Sequence, residues 1–108
     1  MCDIHMSMHA TRILGIDPGT AIVGWAVIDD FGGGRVVHVA HGCVRTDKEQ
    51  SDTARLLEIA QDVAQIIRQY KPQEISIEQL FYFKNQKTII TVAQARGVVL
   101  LVAAQAGL

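Results

Sequence analysis

Leu14 to Asp29 reads LGIDPGTAIVGWAVID: an apolar run that ends on a carboxylate, turns, and returns apolar. Asp17 therefore sits at the tip of a buried strand. Pro presets position i+1 of a tight turn, and Gly supplies the positive φ that i+2 of a type II turn requires. Pro18 and Gly19 thus predict a sharp, rigid bend beside Asp17, which suits a metal ligand. The competing reading is that Asp17 only caps the turn by hydrogen bonding backbone near Thr20, as Asp before Pro-Gly commonly does. A second carboxylate has to separate the two.

Outward from this hairpin, 108 residues of 49% hydrophobic and 19% charged composition describe one small soluble domain with a single core. The longest apolar run, Val98 to Ala104, is far short of the roughly 20 residues of a membrane span. No charged leader precedes a signal-type segment, so the chain reads as cytoplasmic. Cys2 and Cys43 lack the close spacing of a zinc or redox motif. The net charge of -1 argues against a nucleic-acid binder, which needs clustered Lys and Arg. The distribution qualifies this: past Glu78 there are no acidic residues, while Lys84, Lys87 and Arg96 remain. Three cations are equally an ordinary solvated face.

Met1 to Thr11 has no periodicity and is read as a disordered leader, leaving 12–108 as the folded domain. Arg12–Asp17, Val23–Asp29 and Arg35–Thr46 are expected as three antiparallel strands, with a glycine-rich turn over Phe31–Gly34. From a cap at Ser51 or Asp52, apolar residues recur at helical spacing to Tyr70, and Lys71-Pro72 stops the helix. Glu74–Gln79 is a strand reached by a helical crossover, hence parallel to an earlier strand, with the first as its natural neighbour. From Gln86, capped by Asn85, the alanines and the lack of a turn favour one long helix over two strands. Apolar residues nearly encircle that helix, so a second subunit is expected on its outer side. Ala95, Gly97 and Ala104 would allow close helix approach there. His38 and His41 lie three apart on a strand, which puts them on opposite faces and argues against a metal pair.

Setting the first strand beside the fourth brings Asp17 and Glu78 to neighbouring strand ends, where open α/β sheets build their sites. Two adjacent carboxylates repel unless one is protonated or a hard divalent cation lies between them. Mg²⁺ is the expected occupant, with Mn²⁺ as a substitute. Carboxylate-held metal beside a basic surface suits phosphoryl chemistry.

GIDPGT (15–20), GCVRT (42–46), IEQLFYFKN (77–85) and AQARGV (93–98), in this order, resemble the RuvC family of Holliday-junction resolvases over Arg12 to Leu108. The resemblance implies a ribonuclease H-like mixed α/β fold: three antiparallel strands, a helix, a parallel fourth strand and a long helix. It also implies a homodimer, Mg²⁺-dependent symmetric nicking of four-way DNA junctions in recombination and repair, and a branch-migration helicase complex as partner. Asp17 and Glu78 match the family's catalytic metal ligands. Phe81 matches its junction-facing aromatic, and Lys84, Asn85, Lys87 and Arg96 are the further DNA-binding candidates. An aromatic beside such a site can stack on an unpaired base; among Phe81, Tyr82 and Phe83 core packing is the alternative.

The resemblance also carries a departure. The family's site uses four carboxylates, two of them on a C-terminal helix beyond Leu108. The expectation is a C-terminally incomplete domain, lacking the family's fifth strand and that helix, which alone binds branched DNA feebly and does not cut it. Two alternatives come from other classes: a noncatalytic DNA-binding or dimerisation fragment, and an actin- or sugar-kinase-like ATPase fragment using Thr20 and turn amides for phosphate.

Overall fold

The computed structural model describes residues 9–19, 21–78 and 86–108, with Gln86 and Lys87 as helix backbone only. Its elements are β1 (Thr11–Asp17), β2 (Ile22–Gly32), β3 (Arg35–Arg45), α1 (Asp52–Tyr70), β4 (Glu74–Ile77) and α2 (Gln86–Gln105). The strands form one sheet of order β3-β2-β1-β4. β1 pairs antiparallel with β2 and parallel with β4, as the crossover reading expects.

Alternation along the strands makes one face of the sheet apolar. Leu14 and Ile16 on β1, Val23 and Val27 on β2 and Val44 on β3 are buried on it. Against them pack Ile59 and Val63 from α1 and Ala95 and Val99 from α2, forming one core. The intervening residues, Gly15, Asp17, Gly24 and Ala26, share the opposite face.

Helix α1 ends where its local chemistry requires. The Ser51 side chain accepts a hydrogen bond from the Ala54 N–H, satisfying an amide that the helix leaves unpaired. At the other end Lys71 turns left-handed, with φ 51°, and returns its N–H to the Ile67 carbonyl. Helix α2 closes with a Schellman motif in which Leu108 N–H reaches the Ala103 carbonyl at 2.9 Å and Gly107, with φ 83°, that of Ala104 at 3.0 Å. The ends of β1, β2 and α1 are tied by Arg12. Its guanidinium donates to both Asp29 carboxylate oxygens at 2.8 and 3.0 Å and to the Tyr70 carbonyl at 3.1 Å. That pairing holds the Asp29 carboxyl below its ordinary range.

Three expectations change. Gly19 does not adopt a positive φ, so the Pro18-Gly19 bend is not the expected type II turn. Glycine is required there by a close approach: a Cβ would lie 2.5 Å from the Ile22 carbonyl oxygen. His38 and His41 are on the same face, not opposite faces. The β2–β3 register slips between Val27 and Ile28, which pair with Ala40 and His38, so Val39 is an extra, bulged residue. One added residue converts a spacing of three into an effective spacing of two, and the rings meet. Lastly, counting uninterrupted apolar residues understates α2: Thr88–Gln105 averages a hydropathy of 1.5, long and apolar enough by length and composition to cross a membrane. In this fold that helix contributes Ala95, Val99, Val102 and Ala103 to the buried set.

Candidate metal centre

Ile16 pairs with Ile77, and one residue further the Glu78 N–H donates to the Ile16 carbonyl at 3.1 Å. The parallel ladder thus continues just past β4 and sets Glu78 beside Asp17. On the other flank Asp17 faces Gly24 of β2, where the missing side chain keeps its surroundings open. The two carboxyls lie at the mouth of a cleft of about 430 Å³ whose lining includes Gly15, Gly24, Ala26 and Ser76. Small residues on three adjacent strands form much of that lining, with Ile16 and Trp25 completing it. Both carboxylates are exposed, as access to solvent and substrate demands.

Hydrogen bonding with Asp17, the negative charge of Asp17 and a lesser desolvation raise the Glu78 pKa above its ordinary value, in that order of importance. The pair therefore holds a proton more tightly than separate carboxyls would. Oxygen-only donors at adjacent strand ends fit a hard divalent cation. Among the described residues no third His, Cys, Asp or Glu joins them. Two carboxylates with water and substrate oxygens completing the shell is the arrangement Mg²⁺ commonly takes.

Arg96, expected among the DNA contacts, is half-buried on α2 and donates its Nε–H to the Glu78 carbonyl at 3.3 Å. It thereby ties the long helix to the strand end that carries the carboxylate. Phe81, Lys84 and Asn85 lie outside the described residues, as does Thr20 and the side chain of Lys87. Of the three small residues expected at a subunit interface, Ala95 is fully buried in this chain's own core and is not available to a partner. It shares the inward stripe with Val99 and Val102, at helical spacings of four and three. Gly97 and Ala104 are exposed, on the same outward side as Ile90 and Leu101. Ser76 was not anticipated in the cleft, although the period-two alternation of EISIE places it on the face of Glu78.

A mixed sheet with its parallel pair carrying carboxylates at the strand ends, backed by two helices on one face, defines a ribonuclease H-like domain. The family described as crossover junction endodeoxyribonuclease RuvC matches residues 13–108, so the chain belongs to the RuvC family. The RuvC of Fusobacterium nucleatum is 49% identical over 94 residues, which are 87% of this chain and 49% of that protein. The solved structure "T. thermophilus RuvC in complex with Holliday junction substrate" superposes with a TM-score of 0.81 at 22% identity, covering 91% of this chain and 60% of that one. A weaker likeness, of fold alone, is to the Aquifex aeolicus PPX-GPPA enzyme, with a TM-score of 0.55 at 19% identity over 93% of this chain and 34% of that one. The chain spans about half to three-fifths of the length of its curated relatives, 49% in one and 60% in another. The family match displaces the ATPase alternative.

Proposed function

We propose that this chain carries the N-terminal part of the active site of a Holliday-junction resolvase, a phosphodiester-cleaving enzyme of recombination and repair in the cytoplasm. The observation that carries the reading is the Asp17–Glu78 pair at adjoining parallel strand ends, its two carboxyls exposed beside an open cleft. Asp17 and Glu78 would hold Mg²⁺, or Mn²⁺ in its place. The ion supplies charge neutralisation of the phosphate and activation of water for in-line attack. The chain's own contribution is placement. β1 and β4 fix the two carboxylates by backbone hydrogen bonds, Gly19 fixes the bend behind Asp17, and Arg96 holds the end of β4 against α2. Preorganised groups of this kind act without reorganising during the reaction.

The four-way junction as substrate rests on the family and on the Thermus RuvC bound to a Holliday junction. Phe81, Lys84, Asn85 and Lys87 are proposed to contact DNA, with Arg96 acting first on the site itself. A homodimer is proposed through the outward side of α2, where Ile90, Gly97, Leu101 and Ala104 leave an apolar stripe with a close-approach point at glycine. A symmetric pair of sites suits paired nicks on a symmetric junction. The branch-migration helicase complex is the further partner that the family implies.

The test uses a labelled four-way junction in Mg²⁺ or Mn²⁺, with the 108 residues and with a chimera extended by the C-terminal portion of a curated relative. The 108 residues are expected to bind the junction weakly, with a shallow dependence on salt, and to leave it uncut. The chimera is expected to make paired symmetric nicks that vanish with Asp17→Asn. Cutting by the Asp17→Asn chimera at the unmodified rate would overturn the reading.

A further inference from the structure

The bulge at Val39 has a chemical consequence on β3. It brings His38 Nε2 to 2.9 Å from His41 Nδ1, with the ring centroids 5.0 Å apart and the ring planes inclined by 58°. Both histidines are exposed, and both stand on the edge strand of the sheet. Their cross-strand partners are Ile28 and Ala26, which offer no competing polar group. The two imidazoles are each other's hydrogen-bond partners, and no other partner for them is found among the described residues.

We infer that His38 and His41 form a two-histidine binding site for a borderline divalent transition-metal ion, of which Zn²⁺ is the type. Zinc binds imidazole nitrogen at about 2.0–2.1 Å, and two ligands of a tetrahedral ion then lie roughly 3.4 Å apart. The ring nitrogens at 2.9 Å need to part by only a few tenths of an ångström, which exposed side chains do by small χ rotations. His38 binds through Nε2 and His41 through Nδ1, both of which serve as metal ligands in proteins. In the hydrogen-bonded pair one facing nitrogen carries a proton. On binding, that ring takes the tautomer protonated at its other nitrogen, exchanged through solvent, so both facing lone pairs reach the ion. Water fills the remaining positions. Cys43 is exposed two residues beyond His41, but among the described residues no third metal-binding side chain stands close enough to complete a cluster. The site is therefore chemically distinct from the carboxylate pair: nitrogen donors select Zn²⁺, Cu²⁺ or Ni²⁺, whereas oxygen donors select Mg²⁺ or Mn²⁺.

The experiment titrates Zn²⁺ into the 108-residue chain with Mg²⁺ in excess to occupy the carboxylates, following heat by calorimetry and the histidine rings by NMR. Because Cys2, His5 and His9 could also take zinc, the parent carries Cys2→Ser, His5→Gln and His9→Gln. The expected result is one zinc per chain, with the His38 and His41 ring signals moving together. His38→Gln or His41→Gln each weakens binding roughly tenfold or more, because a linked second ligand is lost. Asp17→Asn and Cys43→Ser leave it in place. Binding that survives both histidine substitutions, binding that disappears with Cys43→Ser or Asp17→Asn, or no ring response at millimolar zinc would each overturn the inference. The histidines are exposed, so circular dichroism of each variant verifies that the fold is unchanged.

Discussion

Two pairs of titratable side chains are set side by side by this sheet, and they are held differently. Asp17 and Glu78 belong to two strands, and their spacing is fixed by the β1–β4 ladder through the Glu78 N–H to Ile16 bond. His38 and His41 belong to one strand, and their spacing is fixed by a single bulged residue. The carboxylates are like charges brought together by the ladder, which raises the Glu78 pKa and favours a cation between them. The imidazoles are hydrogen-bond partners, free to part when an ion offers more. The pair built across strands brings like charges together, which a cation would relieve, whereas the pair built within one strand is joined by a hydrogen bond.

The strongest way to break the contrast is by activity. In a chimera of relative-like length, Asp17→Asn removes a proposed metal ligand, and cleavage is expected to fall by several kcal/mol of barrier, on the order of 10²-fold or more. His38→Gln in the same protein is expected to leave the cleavage rate within error, measured on the same labelled junction. Next in size is the bend that carries the carboxylate. Gly19→Ala places a Cβ against the Ile22 carbonyl and is expected to cost about 1–3 kcal/mol of stability in a denaturant titration, with cleavage reduced through displacement of Asp17. A Gly19→Ala variant of unchanged stability would show that the loop gives way freely.

Stability against pH sharpens the difference further. A raised Glu78 pKa means that the folded chain binds that proton more tightly than the unfolded one. Folding stability from this group is complete below the ordinary glutamate pKa and is lost as pH rises through the elevated folded value. Asp17→Asn removes the cause, so its melting temperature is expected to rise relative to the parent at neutral pH and to match it in acid. Added Mg²⁺ should produce the same gain in the parent and none in the variant. The smallest effect is expected at the histidines: His41→Gln, an exposed substitution, should change stability by less than about 0.5 kcal/mol in a denaturant titration without metal.

The elements that sequence reading placed well are those governed by local signals. The caps of α1 follow from Ser51 and from Lys71-Pro72, and the meander follows from alternation and the glycines at 32–34. The parallel position of β4 follows from a crossover rule that allows few choices, and with it comes the meeting of Asp17 and Glu78. The errors involve contacts that local patterning does not encode. The register slip at Val39 arises in pairing with β2 and leaves no mark in VVHVAHG that separates it from a regular strand. The demand for glycine at 19 comes from the Ile22 carbonyl, and not from the residue's own φ. Ala95 was assigned outward because α2 is apolar on most sides, so periodicity alone could not select its inner stripe. Contacts with the sheet and α1 select Ala95, Val99 and Val102.

The central claim, that Asp17 and Glu78 form a divalent-cation site on this chain's own residues, is tested most directly by titrating the Glu78 carboxyl by carbon-13 NMR with and without Mg²⁺. Without the ion Glu78 is expected to titrate above the ordinary glutamate range. With Mg²⁺ its pKa should fall, and Asp17→Asn should abolish both the elevation and the response. A Glu78 that titrates as an isolated glutamate and is indifferent to Mg²⁺ would contradict the account.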